Sequence, residues 1–387
     1  MSPNNWRLVL IVSAVVATPA CGGNGAVPSN TGATNASLPF SVQGNAVSPR
    51  DNTSILKKLK KDVVIGSTVD PTNGDMGPRA LSVVGVTFGG LKKGQLLVCN
   101  FADSSGTAGK GTTIEVLDSA PGSTPKRLVQ NSKIEGCDGD AITSGNEVYG
   151  AGLTGGVVEA FNPNGKPKKT YGSPIKEPFA DADAFCGQPY APEDLYVGDA
   201  KTGGIVKFAV GLYGNPNEVQ VIGGFAVNSG SGWGVLGPSG IQYNGHRKGS
   251  LCNDTLYIVD GVDNTVVAVS NVSSLLQTNE IVVQPGGKTF KCKHKKTTCA
   301  TLVYSGSPLN APVASALLPN GNLVVANTHG GNKLVELTPS GTVLATKSVD
   351  KSTIAHVFGL LATGTSDSNT VLFYTDTKDN SVHELEQ

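Results

Sequence analysis

The chain has 387 residues, a formal net charge of zero and only 16% charged residues, so no overall field draws it to nucleic acid or to an anionic membrane surface. Its 50 glycines, its scarcity of methionine and tryptophan and its lack of long helix-favouring runs are typical of many short strands joined by tight turns. We therefore expect an all-β protein with no nucleic-acid partner.

The first residues predict export. Arg7 precedes the apolar stretch Leu8–Val16, and small residues then lead to Cys21, as in a secretory signal peptide. The apolar stretch is shorter than the about 20 residues that a membrane-spanning helix needs. Ala20-Cys21-Gly22 resembles the modification site of bacterial lipoproteins, although Thr18 stands where that pattern prefers leucine. We predict a lipoprotein-type signal peptide over residues 1–21 with lipidation at Cys21; the alternative is ordinary signal cleavage nearby.

Residues 22–55 are rich in Gly, Asn, Ser, Thr and Pro and poor in large apolar side chains. Such a segment cannot bury enough surface to offset its chain entropy, so it is predicted to be a flexible tether. The membrane is then reached only through the N-terminal anchor, and residues 56–387 form the folded domain.

A repeat organises the rest of the chain. Apolar residues, a small residue and Asp or Asn are followed by a turn and a second, alternating strand. Six copies of its first half recur about 50 to 65 residues apart, the spacing of propeller blades. They end at Asn100, Gly152, Asp199, Asp260, Asn327 and Asp376. An apolar segment precedes each copy and is predicted to be the innermost strand: Ala80–Val86, Ala141–Thr143, Ala184–Phe185, Gly240–Tyr243, Ala314–Leu318 and Val357–Leu361.

These units, for example Leu256-Tyr257-Ile258-Val259-Asp260 with Asn264-Thr265-Val266, resemble the NHL family of β-propellers, and more narrowly a group of exported bacterial propellers of unassigned function. The resemblance covers about residues 62–387. It implies a six-bladed β-propeller and says little about activity, because one fold hosts many functions.

Closure of the ring is a sharper expectation. The chain ends just after Leu385, so the last blade lacks an outer strand. Asp62–Ser67, with its apolar Val63-Val64-Ile65, is predicted to supply that strand from the N-terminal side and to cover an exposed sheet edge.

Four aspartates are candidate metal ligands: Asp138, Asp140, Asp181 and Asp183, placed just before two neighbouring innermost strands. Carboxylates that converge at a channel mouth would hold Ca²⁺, which takes several oxygen ligands. The alternative is that they cap turns through backbone amides. By contrast, the aspartates and asparagine repeated from blade to blade (Asp199, Asp260, Asn327, Asp376) are expected to be structural, each bonding the turn of its own hairpin.

Among the histidines, His356 is the candidate catalytic residue, because it opens the innermost strand of the last blade. The sequence shows no serine, cysteine or carboxylate partner for it, so the alternative is an ordinary loop or core histidine.

Six cysteines besides Cys21 form an even set, as in a disulfide framework of an exported protein. Cys292 and Cys299 are predicted to pair and to close a short lysine-rich loop; a zinc site with His294 is the alternative. The pairing of Cys99, Cys137, Cys186 and Cys252 stays open. The lysine-rich loop could contact an acidic protein or a polysaccharide, or could simply be solvated.

The sequence favours a non-catalytic binding propeller of the cell envelope, secreted or lipid-tethered, whose ligand is a protein, a polysaccharide or a small molecule. The alternative is a metal-dependent hydrolase, lactonase-like, or a lyase with its site in the central channel.

Overall fold

The computed structural model describes residues 53–184, 193–210, 218–228, 232–248 and 251–387, without the side chains at 183–184, 246–248 and 251. The predicted signal peptide, Cys21 and most of the predicted tether lie outside the described residues, as do Phe185 and Cys186.

The described residues form short strands joined by turns, and their helices are 3₁₀ turns of three residues. No helix among them is long enough to cross a membrane. The strands are β1 (Lys61–Ser67), β2 (Met76–Val83), β3 (Leu96–Ala102), β4 (Ala108–Leu117), β5 (Lys126–Gln130), β6 (Cys137–Ile142), β7 (Val148–Gly152), β8 (Val157–Phe161), β9 (Pro167–Tyr171), β10 (Pro178–Ala184), β11 (Glu193–Asp199), β12 (Gly204–Val210), β13 (Val219–Gly223), β14 (Pro238–Lys248), β15 (Leu251–Asp260), β16 (Thr265–Ser270), β17 (Ile281–Val283), β18 (Phe290–Cys292), β19 (Ala300–Ser305), β20 (Pro312–Leu317), β21 (Leu323–Asn327), β22 (Lys333–Leu337), β23 (Val343–Ser348), β24 (Val357–Thr363), β25 (Val371–Asp376) and β26 (Ser381–Glu386). The 3₁₀ turns are Ser132–Ile134, Gly232–Gly234, Val272–Ser274 and Asp367–Asn369.

The strands form six sheets that follow one another along the chain, and neighbouring strands are antiparallel apart from the pair β13 and β17. Their first strands, β2, β6, β10, β14, β20 and β24, pack side by side, and β24 packs against β2. This closed ring confirms the predicted six-bladed β-propeller. We call the face on which these innermost strands begin the upper face.

The predicted closure is also confirmed. β1 pairs antiparallel with β26, from Lys61 opposite Glu386 to Ser67 opposite Ser381, and becomes the outer strand of blade six. Ile65 is fully buried in the cluster between blades six and one, whereas Val64 is 49% exposed. Val64 and Ile65 thus face opposite sides of the sheet, as successive residues of a strand do.

The chain just before β1 packs onto blade five. Ile55, Leu56 and Leu59 are buried in the core shared by blades five and six. The buried Glu336 carboxylate accepts hydrogen bonds from the backbone N–H groups of Ile55 at 3.2 Å and Leu56 at 2.9 Å. The packed part of the chain thus includes the turn at residues 54–59.

Most innermost strands begin earlier than the sequence indicated. β2 begins at Met76 instead of Ala80, and β6 at Cys137 instead of Ala141. As a result, Asp138, Asp140, Asp181 and Asp183 lie on innermost strands rather than before them. The sequence misplaced these starts because polar residues that face the channel interrupt the apolar pattern. The strands also converge closely: a Cβ added to Gly359 would lie 2.6 Å from the Arg79 carbonyl oxygen.

An insertion links blades three and four. Between β16 and β19 of blade four, the chain forms the hairpin β17–β18, which joins blade three because β17 pairs in parallel with β13. The approach requires glycine at position 224, which has φ +88° and where an added Cβ would lie 2.4 Å from the Val283 carbonyl oxygen. The sequence predicted a disulfide-closed, lysine-rich loop within this segment but carries no signal for the blade on which it docks.

Disulfides hold the described residues at two places. Cys292–Cys299 closes the inserted hairpin as predicted, which leaves no thiolates for the zinc alternative. Cys99–Cys137 joins β3 of blade one to β6 of blade two. Cys252 is disulfide-bonded as well. Disulfides of this kind are typical of exported proteins.

Asparagine side chains connect neighbouring blades by hydrogen bonds. The hairpins after β15, β21 and β25 each carry an asparagine with φ near +50°, a conformation that asparagine tolerates. Its side-chain oxygen accepts the backbone N–H of a residue at the start of the next blade: Asn264 from Ala311, Asn332 from His356 and Asn380 from Gly77. The turns themselves are held by the repeated carboxylates, since Asp199, Asp260 and Asp376 each accept the N–H two residues ahead. This confirms the role expected for the three aspartates. Asn327 differs, because it accepts the Asn310 N–H and donates to the Pro308 carbonyl, so it holds the segment before β20 instead of the turn of its own hairpin.

Candidate functional site

The upper end of the central channel is closed by Arg79, which lies on β2 and is 3% exposed. Its Nε donates to the Asp138 carboxylate at 2.9 Å. The guanidinium carbon lies 4.3 Å from the ring centroids of both Phe101 and Phe358. Cations over aromatic faces are attracted to them, most strongly where water is excluded. We call this arrangement the arginine plug.

Two further aromatic rings complete the plug. Phe179 and Trp233 lie with their centroids 5.6 Å and 5.7 Å from the guanidinium carbon. One signal in the sequence could have revealed the plug: a charged residue inside an otherwise apolar innermost strand needs a buried partner.

Below the plug, the channel narrows to a cavity of about 70 Å³, lined by residues from the innermost strands of all six blades. Organic ligands occupy pockets of about 300–1,000 Å³, so this space suits a few water molecules or one small ion. Asp140 and Asp181 line it, and their carboxylate oxygens have no hydrogen-bond partner among the described residues.

The channel carboxyls differ in charge state. Burial raises the pKa of Asp138 to about 6, with Arg79 opposing the rise, so Asp138 is ionised at neutral pH. Burial raises the pKa of Asp140 well above its ordinary value. It does the same for Asp181, where the charges of Asp140 and Asp138 add to the effect. In both cases burial favours the protonated carboxyl over the carboxylate.

The predicted Ca²⁺ ligands therefore meet in one place, but one of them is already paired. Asp138 is bound to Arg79, Asp140 and Asp181 face the cavity, and the side chain of Asp183 lies outside the described residues. Within the described part of the chain, groups of three or more possible metal ligands within 4.8 Å of one another occur on blade six only. Ca²⁺ binding by the aspartates stays a prediction.

His356 lies on the upper face, immediately before β24, and has the carboxylate partner that the sequence did not show. Its Nδ1 is 2.7 Å from Asp350 Oδ2, and the Lys378 ammonium is 3.3 Å from the other Asp350 oxygen. Asp376 completes a group whose ligand atoms lie within 4.8 Å. The partner was missed because Asp350 belongs to the connection between blades five and six, whose path only the fold decides.

A larger hollow of about 320 Å³ opens on the upper face next to blade five. Asn310, His329 and Lys333 contribute to its polar lining. Its size is that of a small-molecule site, but His329 is exposed and forms no ion pair with a carboxylate of the described residues. The hollow offers polar contacts and no activated nucleophile.

A buried carboxyl cluster lies on blade one. Arg127 donates to both oxygens of Asp70, through Nε at 2.6 Å and Nη2 at 2.5 Å. Glu115 is fully buried beside Asp70. Burial, followed by the neighbouring Asp70 carboxylate, raises the pKa of Glu115 to about 9. Glu115 is thus a neutral acid at pH 7.

This cluster makes stability depend on pH. The folded protein holds the Glu115 proton up to about pH 9, whereas the unfolded chain releases it near 4.5. The contribution of Glu115 is fully present below pH 4.5 and is lost by about 1.4 kcal/mol per pH unit as pH rises through this window. We expect Glu115→Gln to remove that slope. Urea unfolding of both proteins at pH 5, 7 and 9 measures it; parallel stability curves would contradict the expectation.

The inserted hairpin, residues 281–299, presents five exposed lysines within nine residues; we call it the basic hairpin. They are Lys288, Lys291, Lys293, Lys295 and Lys296. Among the described residues, none of the five is ion-paired, while the nearby Glu280 pairs with His294 at 3.3 Å. Ile281 and Val283 anchor the hairpin in the core of blades three and four.

Comparison with known proteins finds similar solved structures at low sequence identity. No protein-family model and no curated protein matches the sequence. A catalytically inactive virginiamycin B lyase from Staphylococcus aureus is 12% identical, with 84% of this chain and 98% of that chain covered and a TM-score of 0.44. A protein of unknown function from Bacteroides thetaiotaomicron is also 12% identical, with 84% and 76% covered and a TM-score of 0.48. A chain of a nidogen/laminin complex is 14% identical, with 72% and 87% covered and a TM-score of 0.45. By its own sheet topology, the chain is a six-bladed β-propeller.

Proposed function

We propose that this protein is a non-catalytic binding propeller of the cell envelope, and that its basic hairpin binds an anionic polysaccharide. The observation that carries the proposal is the hairpin itself, a disulfide-closed insertion. It places five exposed lysines, none of them ion-paired with a described residue, on the rim of a rigid scaffold. Recognition concentrates on loops that a rigid scaffold positions. The location rests on the predicted signal peptide and on the disulfides.

The chemistry of the hairpin fits a polymer of repeated charge better than a protein surface. Protein interfaces are built around buried apolar and aromatic residues. The tip of the hairpin, residues 291–297, contains only Lys, Thr, His and the half-buried Cys292. Lysines are point charges that follow a flexible anionic chain without demanding one geometry.

The channel supports a binding role over the hydrolase or lyase alternative. The arginine plug closes its upper end, and the cavity beneath it holds about 70 Å³, too little for an organic substrate. His356 lies beside Asp350 rather than among the residues that line this cavity.

The test is calorimetric titration of the purified protein with dextran sulfate and with polygalacturonate, and with uncharged dextran as the neutral polymer. We expect both anionic polymers to bind at low ionic strength, binding to weaken as salt screens the charges, and dextran not to bind. Replacing Lys291, Lys293, Lys295 and Lys296 with Gln should weaken binding about tenfold or more.

The matched control removes the same charge elsewhere. Lys57, Lys60, Lys92 and Lys93 are exposed, and their replacement by Gln leaves the hairpin intact. If both variants bind the anionic polymers equally weakly, the effect depends on net charge alone. That result would overturn the assignment of binding to the basic hairpin. New chain ends in the polymer after incubation would overturn the non-catalytic role.

A further inference from the structure

The hairpin between β25 and β26 brings together three possible metal ligands that the proposed function does not use. One ligand atom each of Asp376, Asp379 and His383 lies within 4.8 Å of the other two. Asp379 is exposed, so the group is open to solvent on one side. Ligand atoms this close together are within the range that one metal ion can bridge.

The histidine of this group is held in a fixed orientation. His383 stacks on Tyr374, with centroids 4.8 Å apart, and its Nδ1 lies 3.0 Å from Asp62 Oδ1. The Tyr374 hydroxyl donates to the other oxygen of Asp62 at 2.7 Å. Metal-binding histidines almost always bond a carboxylate through their second nitrogen, which turns the first toward the ion. Here Nε2 is the nitrogen turned toward Asp379, at 3.1 Å.

Asp376 supplies an oxygen that lacks a partner. Its side chain is 6% exposed. Oδ1 accepts the Lys378 N–H at 2.8 Å, whereas Oδ2 has no hydrogen bond within the described part of the chain. This oxygen is therefore free to contact a cation.

The local charge also favours a cation. Asp62, Asp376 and Asp379 place three carboxylates around His383, and the Lys378 ammonium contacts Asp350 instead. The neighbouring group of Asp350, His356 and Asp376 already has that ammonium beside it, so an ion is less favoured there.

We propose that Asp376, Asp379 and His383 bind one divalent transition-metal ion of the Zn²⁺ class. One imidazole nitrogen and two carboxylates form a ligand set that suits Zn²⁺, Co²⁺ or Ni²⁺, whereas Ca²⁺ takes six to eight oxygens. The open side at Asp379 leaves a position for water. Because Asp62 of β1 orients His383 of β26, the ion strengthens the strand pair that closes the ring.

The experiment titrates the metal-free protein with Zn²⁺, and separately with Ca²⁺, by calorimetry and by thermal unfolding. We expect Zn²⁺ to bind one ion per chain and to raise the Tm, because a ligand of the folded state stabilises it. Ca²⁺ at the same concentration should leave both readouts unchanged at this site. Co²⁺ should give a visible absorption band as a spectroscopic marker of the bound ion.

His383→Gln and Asp379→Asn should each weaken Zn²⁺ binding about tenfold to a hundredfold and remove the cobalt band. Asp379 is half-exposed, so this variant keeps its fold even where His383→Gln lowers stability without metal. His294→Gln changes an exposed histidine on the basic hairpin and should bind Zn²⁺ as the wild type does. Absence of Zn²⁺ binding, unchanged affinity in both site variants, or loss of binding in Asp140→Asn alone would overturn the assignment.

Discussion

Replacing Arg79 with methionine is expected to destabilise the protein by about 3–5 kcal/mol, because removing one partner of a buried ion pair leaves the other charge uncompensated. The Asp138 carboxylate would stay buried without its Arg79 donor, and four aromatic rings would lose the cation they surround. Chemical denaturation under non-reducing conditions measures the change in the free energy of unfolding.

A double variant distinguishes the cost of leaving the Asp138 charge unpaired from the cost of lost packing around Arg79. Arg79→Met with Asp138→Leu removes both charges and leaves an apolar plug, since methionine packs well against aromatic rings. We expect it to recover most of the lost stability, because apolar replacements of buried ion pairs are often neutral. Breaking the exposed Lys61–Glu386 pair with Lys61→Met is the control and should cost at most about 1 kcal/mol. If the double variant is no more stable than Arg79→Met, the ion pair does not explain the effect.

Ile65→Ala is expected to cost about 2–5 kcal/mol, the range for large-to-small changes in a core. Ile65 is fully buried where blade six meets blade one, beside Leu81, Leu96 and Leu117. Its backbone carbonyl also accepts the Ser123 N–H at 2.9 Å, which ties the closing strand to blade one. The substitution would therefore weaken the contact between blades six and one that closes the ring. Thermal unfolding measures the resulting loss of stability.

Val64 provides the matched control on the same strand. It points outward and is 49% exposed, so Val64→Ala should change stability by no more than about 0.5 kcal/mol. Equal effects at the two positions would show that β1 contributes through its backbone pairing alone. A negligible effect of Ile65→Ala would contradict the role of β1 in closing the ring.

The plug and the closing strand both bear on the proposed binding role. The plug occupies the central channel, where a channel enzyme would need room for its substrate. The closing strand gives blade six four paired strands. What remains accessible for a ligand is the rim and the upper face, where the basic hairpin and the His383 group lie.

The sequence alone determined the features that repeat or alternate over a few residues. Six copies of one strand pattern predicted six blades, and the unpaired last copy predicted that Asp62–Ser67 would complete it. The short spacing of Cys292 and Cys299 predicted their disulfide. These features are local because strand periodicity and short loop closure depend on neighbouring residues.

Only the tertiary structure decided which distant residues meet. The aspartates were recognised as a set that faces the channel, but the pairing of Asp138 with Arg79 joins two blades and has no signature in either strand. The contact of Asp62 with His383 spans 321 positions of sequence and exists because the ring closes there. The basic hairpin lies between two strands of blade four in the sequence, but it is hydrogen-bonded to blade three. This is because β17 pairs with β13, the last strand of blade three. Such contacts arise from the radial packing of the sheets, which brings strands together irrespective of their distance along the chain.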